Sequence, residues 1–187
     1  MGDAGDPLPD VTALMVAYQG GDAMAFDILY DAMAGPLLGY LRSLTRDAVR
    51  AEDLLQETFL SVHRARHTYD PSRSARAWIY AIAHNVFLMA VRASGRRKRH
   101  EDLAEEALPD VPVPPEVESL AERELLAGAL SRLPADRREA LHLHHVVGLS
   151  FQEVGAVLGV SAGAAKLRAH RGMVELREML GGRGGRG

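Results

Sequence analysis

Residues 150–180, SFQEVGAVLGVSAGAAKLRAHRGMVELREML, decide how the chain is read. Ser150 and Glu153 stand at capping-box spacing, where each side chain satisfies a free backbone N–H at a helix start. Val154, Val157 and Leu158 follow at helical spacing and predict a buried stripe. Gly159 then ends the short helix, because glycine accepts the left-handed backbone that such an ending uses. Ser161 is a good N-cap for a second helix from about Ala162 to Met179. Two helices joined by a short turn containing glycine make a helix-turn-helix, whose second helix enters the DNA major groove.

That second helix carries suitable chemistry. Lys166, Arg168, His170 and Arg171 give it a cationic, donor-rich surface that can pair with phosphates or with guanine edges. The small residues Ala162, Gly163, Ala164 and Ala165 allow its first turn to approach a duplex closely. Val174, Leu176 and Leu180 are expected to continue the core side.

Working outward, the 187-residue chain has room for one ordinary domain or two small ones. Aromatics make up only 5% of it, which favours helices over sheets. It has no cysteine, so disulfides and cysteine-based zinc sites are excluded. No apolar run reaches membrane-spanning length, and the beginning, MGDAGDPLPD, lacks a signal-peptide apolar core; a cytoplasmic protein without membrane insertion is expected. The net charge of −3 sums segments of opposite sign. Arg92, Arg96, Arg97, Lys98 and Arg99 are basic. Glu101, Asp102, Glu105, Glu106, Asp110, Glu116 and Glu118 follow without an intervening cation, and Pro109, Pro112, Pro114 and Pro115 forbid a continuous helix there. This reads as an acidic, proline-rich linker, either a solvated tether or a strand imitating nucleic acid in a basic channel.

Before the linker, helices are expected throughout. Asp10 to Gln19 is one, stopped by Gly20 and Gly21. Asp22 caps a second, carrying Phe26, Leu29, Tyr30 and Met33, which Gly35 and Pro36 break or bend before Leu37 to Leu44 resume. Asp47 starts a third, with Ala51, Leu54, Leu55, Thr58 and Val62 inward and Glu52, Asp53, Gln56 and Glu57 outward. HTYDPSRS at 67–74 is turn-like. Ser74 caps a fourth helix, whose buried face is expected to hold Trp78, Ile82, Val86 and Met89. His142, His144 and His145 lack an acidic or cysteine partner nearby, so surface positions are expected and no metal site. No nucleophile–base pairing or phosphate-binding glycine loop stands out; no cofactor and no catalysis are expected.

AEDLLQETFLSVHRA, ARAWIYAIAHNVFLMAVR, LSRLPADRREAL and the opening stretch occur in that order at these spacings. Together they resemble extracytoplasmic-function sigma factors, the small two-domain class of the sigma-70 family, from about Asp10 to Leu180. The resemblance implies an all-α protein of two small domains. Residues 10–99 would grip the RNA polymerase clamp and open the promoter −10 element. Residues 100–117 would be the linker, residues 118–180 would bind the polymerase flap and read the −35 element, and residues 181–187 would be a disordered tail. Core RNA polymerase, promoter DNA and an anti-sigma factor are the implied partners.

By the same resemblance, Asp53, Gln56 and Glu57 lie on the helix that meets the clamp. Arg73, Arg76, Tyr80, Asn85 and Arg92 serve the −10 element, with Asn85 matching an asparagine that helps hold a flipped base. Ser161, Ala164, Lys166, Leu167, Arg168, His170 and Arg171 serve the −35 element. The chain departs from the family pattern at Met89, where an aspartate is frequent, and at Ala164 and Leu167, where hydroxyls are. Two other readings fit parts of the chain. One is a sigma-like decoy that binds an anti-sigma factor without engaging DNA; the other is a free-standing helix-turn-helix regulator, which leaves the first hundred residues without a purpose.

Overall fold

A computed structural model describes residues 10–97 and 120–181, and every regular element in them is helical. The N-terminal unit comprises α1 (Val11–Gln19), α2 (Ala23–Thr45), α3 (Ala48–Ala65), a single 3-10 turn at Arg66–Thr68, and α4 (Ala75–Arg97). The C-terminal unit comprises α5 (Leu120–Arg132), α6 (Ala135–Leu141), a π-helical turn at His142–Val146, α7 (Phe151–Leu158) and α8 (Ala162–Gly181). The acidic linker, Lys98, Arg99 and the tail from residue 182 lie outside the described residues.

Short polar side chains set the helix starts. Asp10, Asp22 and Asp47 each accept backbone N–H bonds from the first turn that follows, at 2.9–3.2 Å. Ser74 and Ser161 do the same for α4 and α8 at 3.2 Å. Each cap satisfies donors that a helix cannot satisfy internally and is worth about 1 kcal/mol. Ser150 and Glu153 form the full reciprocal capping box on α7.

The N-terminal unit packs α2 against α3, with α1 and α4 closing the sides. Leu29, Met33, Leu37, Tyr40 and Leu41 of α2 meet Ala51, Leu55, Phe59 and Val62 of α3 and Ile79 and Ala83 of α4. Two expectations change here. α2 runs unbroken through Pro36. Proline fixes a helical φ and forfeits only one amide bond, and the buried residues on both sides hold that turn in place. The buried stripe of α4 is Ala75, Ile79, Tyr80, Ala83 and Val86, whereas Met89 is 57% exposed and Trp78 and Ile82 are half-buried. The stripe is rotated because α4 packs against α7 as well as against α1, α2 and α3 of its own unit.

The same core continues into the C-terminal unit, through Ala140, Leu143, Val147, Leu149, Val154, Val157, Ala165 and Ala169. A smaller cluster of Ala129, Leu130, Leu133, Leu141 and Leu176 joins α5, α6 and α8. Val174 is exposed, and Met173 takes the inward place expected of it. His142 is buried rather than superficial, because the wide π-helical turn directs it toward the ring of Tyr40, 5.7 Å away.

Candidate nucleic-acid interface

α8 is packed on one side and bare on the other. Ala165, Ala169, Gly172 and Leu176 are buried. A Cβ on Gly172 would stand 3.2 Å from the Arg137 carbonyl oxygen, so the close α6–α8 approach uses the missing side chain. An Arg137–Glu175 ion pair ties the same two helices. α7 fixes the start of α8 through a tighter device: a Cβ on Gly155 would fall 2.7 Å from the Val160 carbonyl oxygen and 3.2 Å from the Ala162 nitrogen. Gly159 sits at φ 66°, the left-handed ending that glycine tolerates.

The outer face presents Lys166, Leu167, His170 and Arg171, and Arg177 continues the row at helical spacing. Leu167 is 49% exposed amid these donors. Ser161 uses its hydroxyl as the cap, Ala164 is half-buried, and Arg168 is half-buried with its Nε 3.5 Å from Asp136. Burial first, and then the neighbouring His144 and Arg177, hold the His145 imidazole below its usual value. Arg177 was not singled out from sequence; its seven-residue spacing from His170 is the signal that marks it.

On α4, Asn85, Met89 and Arg92 share one exposed face at i, i+4, i+7. Arg73 is exposed and its Nε lies 3.5 Å from Asp70. Arg76 and Tyr80 lie on a different side, toward the C-terminal unit. Arg76 donates to the Val147 carbonyl at 3.4 Å. Tyr80 corrects the expectation of a DNA-facing side chain: it is 0% exposed, edge-on to Tyr40 at 5.2 Å, and its hydroxyl has no hydrogen-bond partner among the described residues. Burial drives its phenol well above the ordinary value. On α3, Asp53 and Gln56 are exposed and Glu57 is half-buried in an ion pair with Arg64 at 3.1 Å. Leu60, 49% exposed, completes that face at i+7 from Asp53, an apolar member that sequence reading passed over.

Between the two units lies a buried polar cluster centred on Glu139, which is 8% exposed. Its Oε1 accepts from the Tyr40 hydroxyl at 2.5 Å and lies 2.7 Å from His84 Nδ1. Nearby, Arg46 donates to the Ser131 carbonyl at 3.1 Å. Arg46 also ends α2 in the left-handed region at φ 58°, unusual for a residue with a Cβ. Nothing in the separations of residues 40, 84 and 139 announces this cluster.

Residues 29–97 match Sigma-70 region 2, and residues 123–176 match Sigma-70, region 4. The chain is 42% identical over 171 residues to RNA polymerase sigma factor CarQ of Myxococcus xanthus, covering 89% of this chain and 95% of that relative. It is 32% identical over 160 residues to ECF RNA polymerase sigma factor SigL of Mycobacterium tuberculosis, covering 85% and 90%. The chain belongs to the extracytoplasmic-function sigma factors. It is therefore a promoter-specificity subunit that directs transcription initiation by RNA polymerase, and not itself an enzyme. Its fold is similar to the Bartonella quintana sigma factor RpoE, solved in complex with the anti-sigma factor NepR, with a TM-score of 0.72 and 27% identity over 83% of this chain and 96% of that one. Among the described residues, no helix is long and apolar enough to cross a membrane and no acidic or histidine cluster could hold a metal ion.

Proposed function

We propose that this sigma factor divides its work between the two units as the family pattern implies, with residues 10–99 serving the polymerase clamp and the −10 element and residues 118–180 serving the flap and the −35 element. The exposed cationic face of α8 carries this reading. Lys166, His170 and Arg171 contact phosphates or guanine edges of the −35 element, with the helix start at Ser161 directed at the backbone. Arg168, half-buried beside Asp136, has the shorter reach. Leu167 and Ala164 stand where the family often has hydroxyls; they offer apolar contact to thymine methyl groups instead of hydrogen bonds. The −35 preference should accordingly be richer in thymine at the positions they face.

Asn85 and Arg92 form the −10 surface on α4, Asn85 donating to and accepting from an unstacked base while Arg92 and Arg73 hold phosphates. Arg76, bonded to the Val147 carbonyl, and Tyr80, buried against Tyr40, are left out of that surface. Asp53, Gln56 and Glu57, with Leu60, present a polar patch with one apolar anchor to the polymerase clamp. The likeness to a sigma factor solved with its anti-sigma factor supports an anti-sigma partner here as well.

Run-off transcription with purified core polymerase and a promoter library tests the assignment. The parent chain should initiate at promoters carrying a −35 and a −10 box. Asn85→Ala should impair strand opening, read by permanganate footprinting, more than it impairs duplex binding. Normal opening by this variant would remove Asn85 from the −10 site.

A further inference from the structure

The geometry points to a small-molecule site lined by α2, α4 and the π-helical turn, one that takes an aromatic monocarboxylate about the size of benzoate. It goes beyond the promoter assignments, which use none of its lining groups. A cleft with a volume of about 250 Å3 lies there. From α2 its wall takes Ala32, Gly35 and Gly39, from α4 Arg76 and Tyr80, and from the turn His142. The α2 residues are one turn apart on a single face, so the helix offers little more than backbone to the cleft. A Cβ on Gly35 would meet nothing within 4 Å.

Two donors set the chemistry of the ligand. Tyr80 is 0% exposed, and its hydroxyl has no hydrogen-bond partner among the described residues. A buried donor left in that condition calls for an explanation. One turn earlier, the half-buried Arg76 donates a single N–H to the Val147 carbonyl at 3.4 Å. A guanidinium carries five N–H donors in a fork that fits a carboxylate. Its charge acts on Tyr80, opposing the upward push of burial on the phenol, which brings the two donors to one place. Arg76 is the one charged residue of the lining at pH 7, because burial holds the His142 imidazole down at about 4. A single cation matches a monoanion. The rest of the lining is apolar or aromatic, with Met33 and Val146 beside the Tyr80 and His142 rings. A dry cavity of about 150 Å3 is enough to bind benzene, so the cleft has room for a benzene ring and a carboxylate together. Aromatic walls favour a flat ring over an aliphatic tail of equal volume.

Isothermal titration of the full chain at pH 7.5 tests the site with three probes. Benzoate carries both features, acetate lacks the ring, and benzamide lacks the charge. Benzoate should bind with a Kd of about 1 mM or below, and the other two at least about tenfold more weakly. Tyr80→Phe deletes a hydroxyl that has no partner in the free chain, so its melting temperature should equal or exceed the parent's. Its affinity for benzoate should nevertheless fall about tenfold, the loss expected for a hydrogen bond to a charged group. Gly35→Leu places a side chain in the cleft where a Cβ meets no neighbour; it should keep the parent's helical circular dichroism and lose benzoate binding. Absence of saturable benzoate binding to the parent would overturn the site. Benzoate affinity unchanged in both variants would put the ligand elsewhere and overturn it equally.

Discussion

His142 shows how one side chain links sequence, burial and pH. The π-helical turn carries it inward, and burial pushes its imidazole down to about 4, against the opposing pull of the Glu139 carboxylate. The folded chain therefore keeps it neutral, while the unfolded chain protonates it near 6.5. The stability tied to this difference is fully present above about pH 6.5. It is lost as pH falls toward 4, by up to about 3 kcal/mol. Thermal denaturation between pH 7 and 4.5 should show the loss, and His142→Leu should flatten that slope. At the same scale, Ser150→Ala removes the hydroxyl half of the capping box, leaving the backbone N–H of residue 150 on Glu153, and should cost about 1 kcal/mol in urea denaturation. The cap was legible from sequence because Ser150 and Glu153 are three residues apart. The burial of His142 was not, because it depends on Tyr40, a hundred residues away.

Among the elements, α7 and α8 illustrate what local reading can and cannot see. The caps, the glycine ending and the cationic row are periodic or adjacent, so the helix-turn-helix was evident before any coordinates. The rotation of the α4 stripe was not, since α4 owes its second contact surface to α7, seventy residues further on. Gly155 was also passed over, being a helical glycine amid ordinary helix formers. Its role is the close approach to Val160 and Ala162. Gly155→Ala should therefore destabilise the chain by about 1–3 kcal/mol and weaken −35 binding by misplacing α8, even though alanine favours helices. Arg171→Ala leaves the packing untouched. It should weaken binding to all −35 sequences alike and reduce the slope of log affinity against log salt by about 1, measured by fluorescence anisotropy of the polymerase-bound factor. Loss at one sequence only would mark Arg171 as a base reader instead of a phosphate contact.

Across the whole molecule, two family-sized units were foreseen, but not that they would share one apolar core. Residues that join them, Tyr40, Arg46, His84 and Glu139, belong to α2 and its C-terminal end, α4 and α6, and no short window of sequence contains more than two of them. The exposed faces were read better: Asp53, Gln56, Asn85, Lys166 and Arg171 all stand in solvent, as polar residues on amphipathic helices do.

That single core, running from Met15 in α1 to Ala169 in α8, bears on how the chain would behave in a calorimeter. Modules that merely hang from a tether melt one after the other. Modules that own a common interior surrender it together, so the isolated factor should give a single sharp endotherm, and two separate transitions would show that the interior is not shared.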